Sequence, residues 1–156
     1  MSSSLTVEIE EQGDQVTYHL SGQIDEDANL EQMVDNTKSK IIFDLDQVKM
    51  INSCGIRDWG EFQNKIYDSI KIIYLRCPQV IVEQLNIIKG FIKEGGVVES
   101  FYAPYYNNKT DSEVKILLKV DEVEGTSAPV KFDEHGNELE FDEIELQYFN
   151  FLKNQI

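Results

Sequence analysis

Lys40-Ile41-Ile42-Phe43-Asp44-Leu45, followed after a short connection by Ile51-Asn52-Ser53-Cys54-Gly55-Ile56, decides how this chain is read. The first six residues form a short, nearly continuous apolar run, which predicts a central strand covered on both faces. Asn52-Ser53 then opens a helix, because either side chain can accept hydrogen bonds from the free backbone N–H groups of a first turn. Trp59, Phe62 and Ile66 follow at spacings of three and four and share one face of that helix.

Upstream, Leu5, Val7 and Ile9 alternate with Thr6, Glu8 and Glu10, the period of a half-buried strand. Gly13-Asp14 supplies a turn, and Val16, Tyr18 and Leu20 repeat the alternation, so the first two strands are expected as a hairpin. Asp25, Glu26 and Asp27 precede Leu30, Met33 and Val34. Acidic residues suit the positive end of a helix dipole, so a helix is expected there. Downstream come a strand over 70–75 and a helix starting at Pro78 with Ile81, Leu85 and Ile88 on one stripe. A strand over 97–101 follows the Gly95-Gly96 turn. Two strands, then helix and strand three times over, predict an α/β fold in which a mixed sheet carries packed helices.

Ala103-Pro104 through Asn108 is read as a boundary. The first unit is expected over residues 1–103 and an acidic extension over 104–156. That extension is expected to contain a strand over 114–120, a small hairpin around Gly136-Asn137 and a final helix. Ile144, Tyr148, Phe149 and Leu152 form the stripe by which this helix docks on the first unit.

The 156 residues carry a formal net charge of -15, with 41% hydrophobic and 28% charged residues, the balance of a folded globular protein. No Lys or Arg precedes Lys38, and between Asp121 and Glu145 only Lys131 is basic. Such a surface repels phosphate backbones and anionic lipid heads, so neither nucleic acid nor membrane is expected as a partner. The charge either keeps the chain soluble or forms a face for a basic partner. No stretch of about 20 apolar residues occurs. Met1-Ser2-Ser3-Ser4-Leu5 lacks the regions of a signal peptide. Cys54 and Cys77 are lone cysteines near packed elements, which points to a reducing, cytoplasmic setting.

Ile42-Phe43-Asp44-Leu45, Val48 and Ile51-Asn52-Ser53-Cys54-Gly55-Ile56 resemble the STAS pattern of the bacterial anti-sigma-factor antagonists: a strand ending in Asp-Leu, a loop, and an Asp-Ser-Ser/Thr-Gly helix start. Leu20-Ser21-Gly22-Gln23-Ile24-Asp25 is similar to the family's upstream Leu-x-Gly-x-Ile/Leu-Asp segment. The resemblance covers about residues 5–101, roughly one small domain. It implies a STAS-like sheet and a non-catalytic module that binds another signalling protein, such as a kinase or an anti-sigma-like regulator. Asn52, Ser53, Cys54 and Gly55 would lie at the docking face, and Ser53 matches the serine that a partner kinase phosphorylates. A phosphate there adds about -1.5 to -2 charges at a helix N-terminus, where anions are favoured. The chain departs from the family at Asn52, where Asp is usual, and at Cys54, where a hydroxyl residue is usual. The other role open to Ser53 is that of a plain helix cap.

The extension also resembles a zinc ribbon stripped of its cysteines, with Asn107 and Thr110 at the first knuckle and Phe132, His135 and Gly136 at the second. His135 alone cannot hold zinc, so no metal and no cofactor is expected. Asp133, His135 and Asn137 alternate as in a calcium loop, but the glycine is misplaced, and a solvated hairpin tip fits better. Catalysis is not expected. His19 alternates away from the apolar residues of its strand, Asp44 and Asp46 have no evident acid/base partner, and Cys54 lacks a base. Trp59 belongs to a core stripe. Two other functions stay open: a constitutive acidic adaptor using residues 121–145, and a small-ligand sensor.

Overall fold

Alternation and turn chemistry build the first sheet. In the computed structural model, which describes residues 5–155, β1 (Leu5–Gln12) and β2 (Gln15–Ile24) form an antiparallel hairpin closed at Gly13, whose φ of 60° lies in the left-handed region that favours glycine. Met1 to Ser4, read above for the absence of a signal peptide, lie outside the described residues. β3 (Lys40–Ile51), β4 (Lys71–Leu75) and β5 (Val97–Val98) add in parallel, so the strand order is β1-β2-β3-β4-β5. α1 (Ser53–Gln63) joins β3 to β4, and α2 (Gln79–Ile87) lies between β4 and β5. Parallel crossovers are right-handed as a rule, so strands laid down in spatial order carry their helices on one face. The expected α/β fold, a mixed sheet carrying packed helices, is the one observed.

The helix expected after Asp25 is a correction. Only a single 3-10 turn, Leu30–Met33, forms. Asn29 makes no side-chain cap, and the chain is turned away at Asp35, whose Oδ1 accepts from the Thr37 N–H at 3.0 Å. Such local bonds compete with continued helix. Leu30 and Met33 are still buried, so the segment keeps its apolar contact without a helix.

The boundary expected at 103/104 falls inside a strand. β6 (Ser100–Asn107) pairs antiparallel with β7 (Ser112–Lys119) and with the short β8 (Glu140–Phe141), giving a second sheet of order β7-β6-β8. Pro104 is tolerated in this middle strand for a geometric reason. Its carbonyl accepts from the Asp142 N–H at 2.9 Å, so its missing N–H also faces the β8 side, beyond the two-residue β6–β8 ladder. The two sheets are stitched by main-chain bonds, Cys77 N–H to Ser100 O at 3.1 Å and Tyr102 N–H to Cys77 O at 2.8 Å.

The core sits between the first sheet and its helices. Phe43 lies 5.5 Å from Trp59, 5.8 Å from Phe62 and 5.7 Å from Tyr74, centroid to centroid. It continues without a break into the extension. Phe101 packs on Phe149 at 6.0 Å and on Phe151 at 5.1 Å, and Phe149 stacks on Phe141 at 5.0 Å. Each such buried ring contributes about 1.5–3 kcal/mol of transfer free energy. The closing stripe is α3 (Glu145–Tyr148) and a 3-10 turn, Asn150–Gln155. Tyr148 and Phe149 are buried as expected, but Ile144 is exposed and Phe151 takes the inward place. Asn86 of α2 anchors the stripe, donating to Tyr148 O at 2.9 Å and accepting from the Phe151 N–H at 2.7 Å.

Candidate functional site

The N-terminus of α1 is built by three neighbouring residues with separate tasks. Asn52 is the helix cap, its Oδ1 accepting from the Gly55 N–H at 2.8 Å. Its amide also donates to Glu26 Oε1 at 2.8 Å, which holds that carboxyl below its ordinary value. Gly55 is buried against the end of β2: a Cβ placed there would stand 2.0 Å from the Ile24 carbonyl oxygen. It therefore seats the helix and offers no surface. Ser53 is the first helical residue and is exposed, and among the described residues its hydroxyl has no hydrogen-bond partner. The capping role left open for Ser53 thus falls to Asn52. Cys54 is half-buried and Arg57 is exposed one turn on, its Nε donating to Asp58 Oδ1 at 3.3 Å.

Around this point Glu26 and Asp27 are exposed, and Met50 is an exposed apolar side chain at the end of β3. The surface therefore combines one free hydroxyl at the positive end of a helix dipole, a flanking acidic edge and an apolar contact.

A second constellation lies on the opposite face of the sheet. Asp44 stands in the apolar run of β3, nearly fully buried. Its Oδ1 accepts from Arg76 Nε at 3.0 Å, and its Oδ2 meets Arg76 Nη2 at 2.5 Å and His19 Nδ1 at 2.7 Å. Burial pulls this carboxyl up, but the hydrogen bonds from Arg76 and His19 outweigh burial and leave it below its ordinary value. His19 Nε2 reaches Glu10 Oε1 on β1 at 2.9 Å. Arg76 Nη1 lies 3.5 Å from Asp46, whose Oδ1 accepts from the Tyr102 hydroxyl at 2.5 Å. Arg76 holds this pose with φ at 51°, rare for a side chain that is not glycine. The reading that Asp44 and Asp46 lack partners is therefore corrected. The partners come from β2, β6 and the residue after β4, none near in sequence. A charge inside a buried run needs a partner, and that was the available signal.

The knuckle segments meet through hydrogen bonds and not through a shared set of ligand side chains. Asn107 is buried, whereas Phe132 and His135 are exposed. Asn107 instead donates to Asp133 Oδ2 at 2.9 Å, and Asp133 Oδ1 accepts from the His135 and Asn137 N–H groups at 2.9 and 2.8 Å. The second knuckle is a hydrogen-bonded hairpin tip. Among the described residues no group of three or more His, Cys, Asp and Glu side chains is placed to hold a metal ion. Burial pushes the Cys77 thiol up, which disfavours its thiolate. A cleft of about 640 Å³ runs between residues 85–96 and Asn150-Phe151. No helix among the described residues is long and apolar enough to cross a membrane.

No family model matches the chain, and no curated protein matches it. Among solved structures, an anti-sigma factor antagonist from Mycobacterium paratuberculosis is similar over 46% of this chain and 68% of that one, with 22% identity and a TM-score of 0.38. At that TM-score the likeness carries nothing across to this chain.

Proposed function

We propose that this chain is a non-catalytic protein–protein interaction module of bacterial-type signalling, docking its partner at the N-terminus of α1 and switched by phosphorylation of Ser53. The observation that carries this reading is the exposed Ser53 hydroxyl, unbonded at the first turn of an eleven-residue helix whose position is fixed by Asn52 and Gly55. A phosphate on Ser53 would face free N–H groups of α1, with Arg57 one turn away, and would also crowd Glu26. The added charge changes the docking face without disturbing the buried contacts beneath it. Asn52 in place of the family's aspartate keeps the cap while leaving one carboxylate fewer beside Ser53.

The test compares wild type, Ser53→Ala and Ser53→Glu as baits in lysate of the source cells, with mass spectrometry of bait and captured proteins. Phosphate on Ser53, with a partner kept by Ser53→Ala and lost by Ser53→Glu, is the expected result. Identical partners for all three and an unmodified Ser53 would sink the switch.

A second reading has its own observation. Val130, Phe132, Ile144 and Leu146 are exposed apolar side chains within the acidic residues 121–146. They suit a fixed adaptor that takes a basic, partly apolar partner irrespective of Ser53. Binding of that kind weakens steeply with salt, since exposed charges are screened over about 8–10 Å at ordinary ionic strength. Capture that is unaffected by salt would remove this alternative.

A further inference from the structure

His19 has a carboxylate on each ring nitrogen, Asp44 Oδ2 at 2.7 Å from Nδ1 and Glu10 Oε1 at 2.9 Å from Nε2. A neutral imidazole has one N–H and one lone pair, so it can satisfy only one of them. Two carboxylates at these distances require both nitrogens to donate, which is the imidazolium. The surroundings agree. Glu8 stands opposite His19 in the β1–β2 register, Glu10 also comes from β1, and Asp44 and Asp46 come from β3. Arg76 is the cation in this group and is spent on Asp44 and Asp46. The hydrogen bonds that His19 donates to Glu10 and then to Asp44 raise its pKa above the ordinary value, against an opposing effect of burial.

The two carboxylates do not have equal claims on the ring. Asp44 is buried and demands a donor, whereas Glu10 is exposed and can turn to water. On deprotonation the remaining proton therefore stays on Nδ1, facing Asp44. The lone pair of Nε2 then faces Glu10, and attraction becomes repulsion. Arg76 goes on holding Asp44, so the core is undisturbed. The change falls on β1. Its first half is anchored by Leu5 and Val7, partly buried against the core, but Glu8 to Gln12 are all exposed. That outer half is paired with β2 through the main-chain ladder, and side-chain ties add to it, His19–Glu10 and the Lys38–Glu11 pair at 2.9 Å.

We propose that His19 is a proton-operated latch that fastens the outer half of the edge strand β1 to the central strand β3 and lets it loosen when the ring becomes neutral. Because the folded-state pKa is the higher one, the latch is fully closed below the ordinary histidine value of about 6.5 and is lost as pH rises through the raised value.

Nitrogen-correlated NMR of the histidine rings, together with amide hydrogen exchange of residues 8–12, tests it on the full chain. Wild type should show His19 titrating above its midpoint in urea-unfolded chain, with the neutral ring carrying its proton on Nδ1. Glu10→Gln should lower that midpoint. Exchange at 8–12, corrected for intrinsic chemistry, should speed by about threefold or more between about pH 5.5 and about pH 9, while His19→Gln shows no such step. A midpoint at or below the unfolded value, a neutral ring protonated on Nε2, or protection of 8–12 that ignores pH would each overturn the latch. If His19→Gln lacks folded dispersion, Glu10→Gln alone decides, because removing an exposed carboxylate leaves the fold in place.

Discussion

At the scale of single residues, the start of α1 separates two kinds of requirement. Asn52→Ala removes one cap bond and should cost about 1 kcal/mol in urea denaturation. Gly55→Ala drives a Cβ into the Ile24 carbonyl, which is backbone and cannot swing away, so it should cost about 3 kcal/mol or more. Equal costs for the two would mean that α1 can slide off Ile24. Asn52 was legible as a cap because a helix start depends on near neighbours, whereas Gly55 was read only as part of the docking face, since the Ile24 carbonyl it packs against is distant in sequence. Asp44 was legible only as an oddity. Its partners lie 25 and 32 residues away, and nothing local says which strand brings a histidine or which turn brings an arginine. The free hydroxyl of Ser53 could not be told from a cap until the backbone showed that Asn52 already fills that role.

At the scale of elements, strands with strict alternation and helices with a clear stripe were readable, since period and burial agree. Failures came where a signal is shared by two outcomes. Asp25 to Val34 has the acidity and spacing of a helix, but Asp35 supplies a competing turn and only a 3-10 segment survives. Pro104 reads as a breaker, yet it sits in β6 because one flank of that strand is short. The hairpin tip at Asp133 was expected as solvated polar residues and proves to be a hub. Hydrogen bonds from Asn137, the backbone there and Asn107 hold its carboxyl far below the usual carboxylate range. A lowered folded-state pKa contributes stability above the unfolded value, and that contribution is lost as pH falls. The advantage of wild type over Asp133→Asn in thermal melts should therefore be present at neutral pH and shrink below about pH 4. An advantage that persists in acid would mean that Asp133 is held by shape and not by charge.

At the scale of the whole molecule, we propose that residues 5–155 unfold as one cooperative unit, in place of the division at 103/104 read from the sequence. The single tryptophan makes this measurable, since Trp59 reports on the core of the first sheet. Phe149→Ala lies in the closing stripe and should cost about 3–5 kcal/mol. Tryptophan fluorescence and far-UV dichroism should then move together to lower denaturant. A Trp59 transition untouched by Phe149→Ala would show two units that melt apart. The sequence does not show the packing behind this proposal, because Phe101, Phe141, Phe149 and Phe151 meet only once the chain has passed from the first sheet into the second. The outermost strand bears on the molecule's dealings with its own kind. β1 ends the first sheet with unpaired main chain, the usual template for chain-to-chain polymerisation. Glu8, Glu10 and Glu11 are exposed along that strand, and such edge charges, even where His19 and Lys38 partly offset them, work against the rim-to-rim approach of two copies from which fibrils grow.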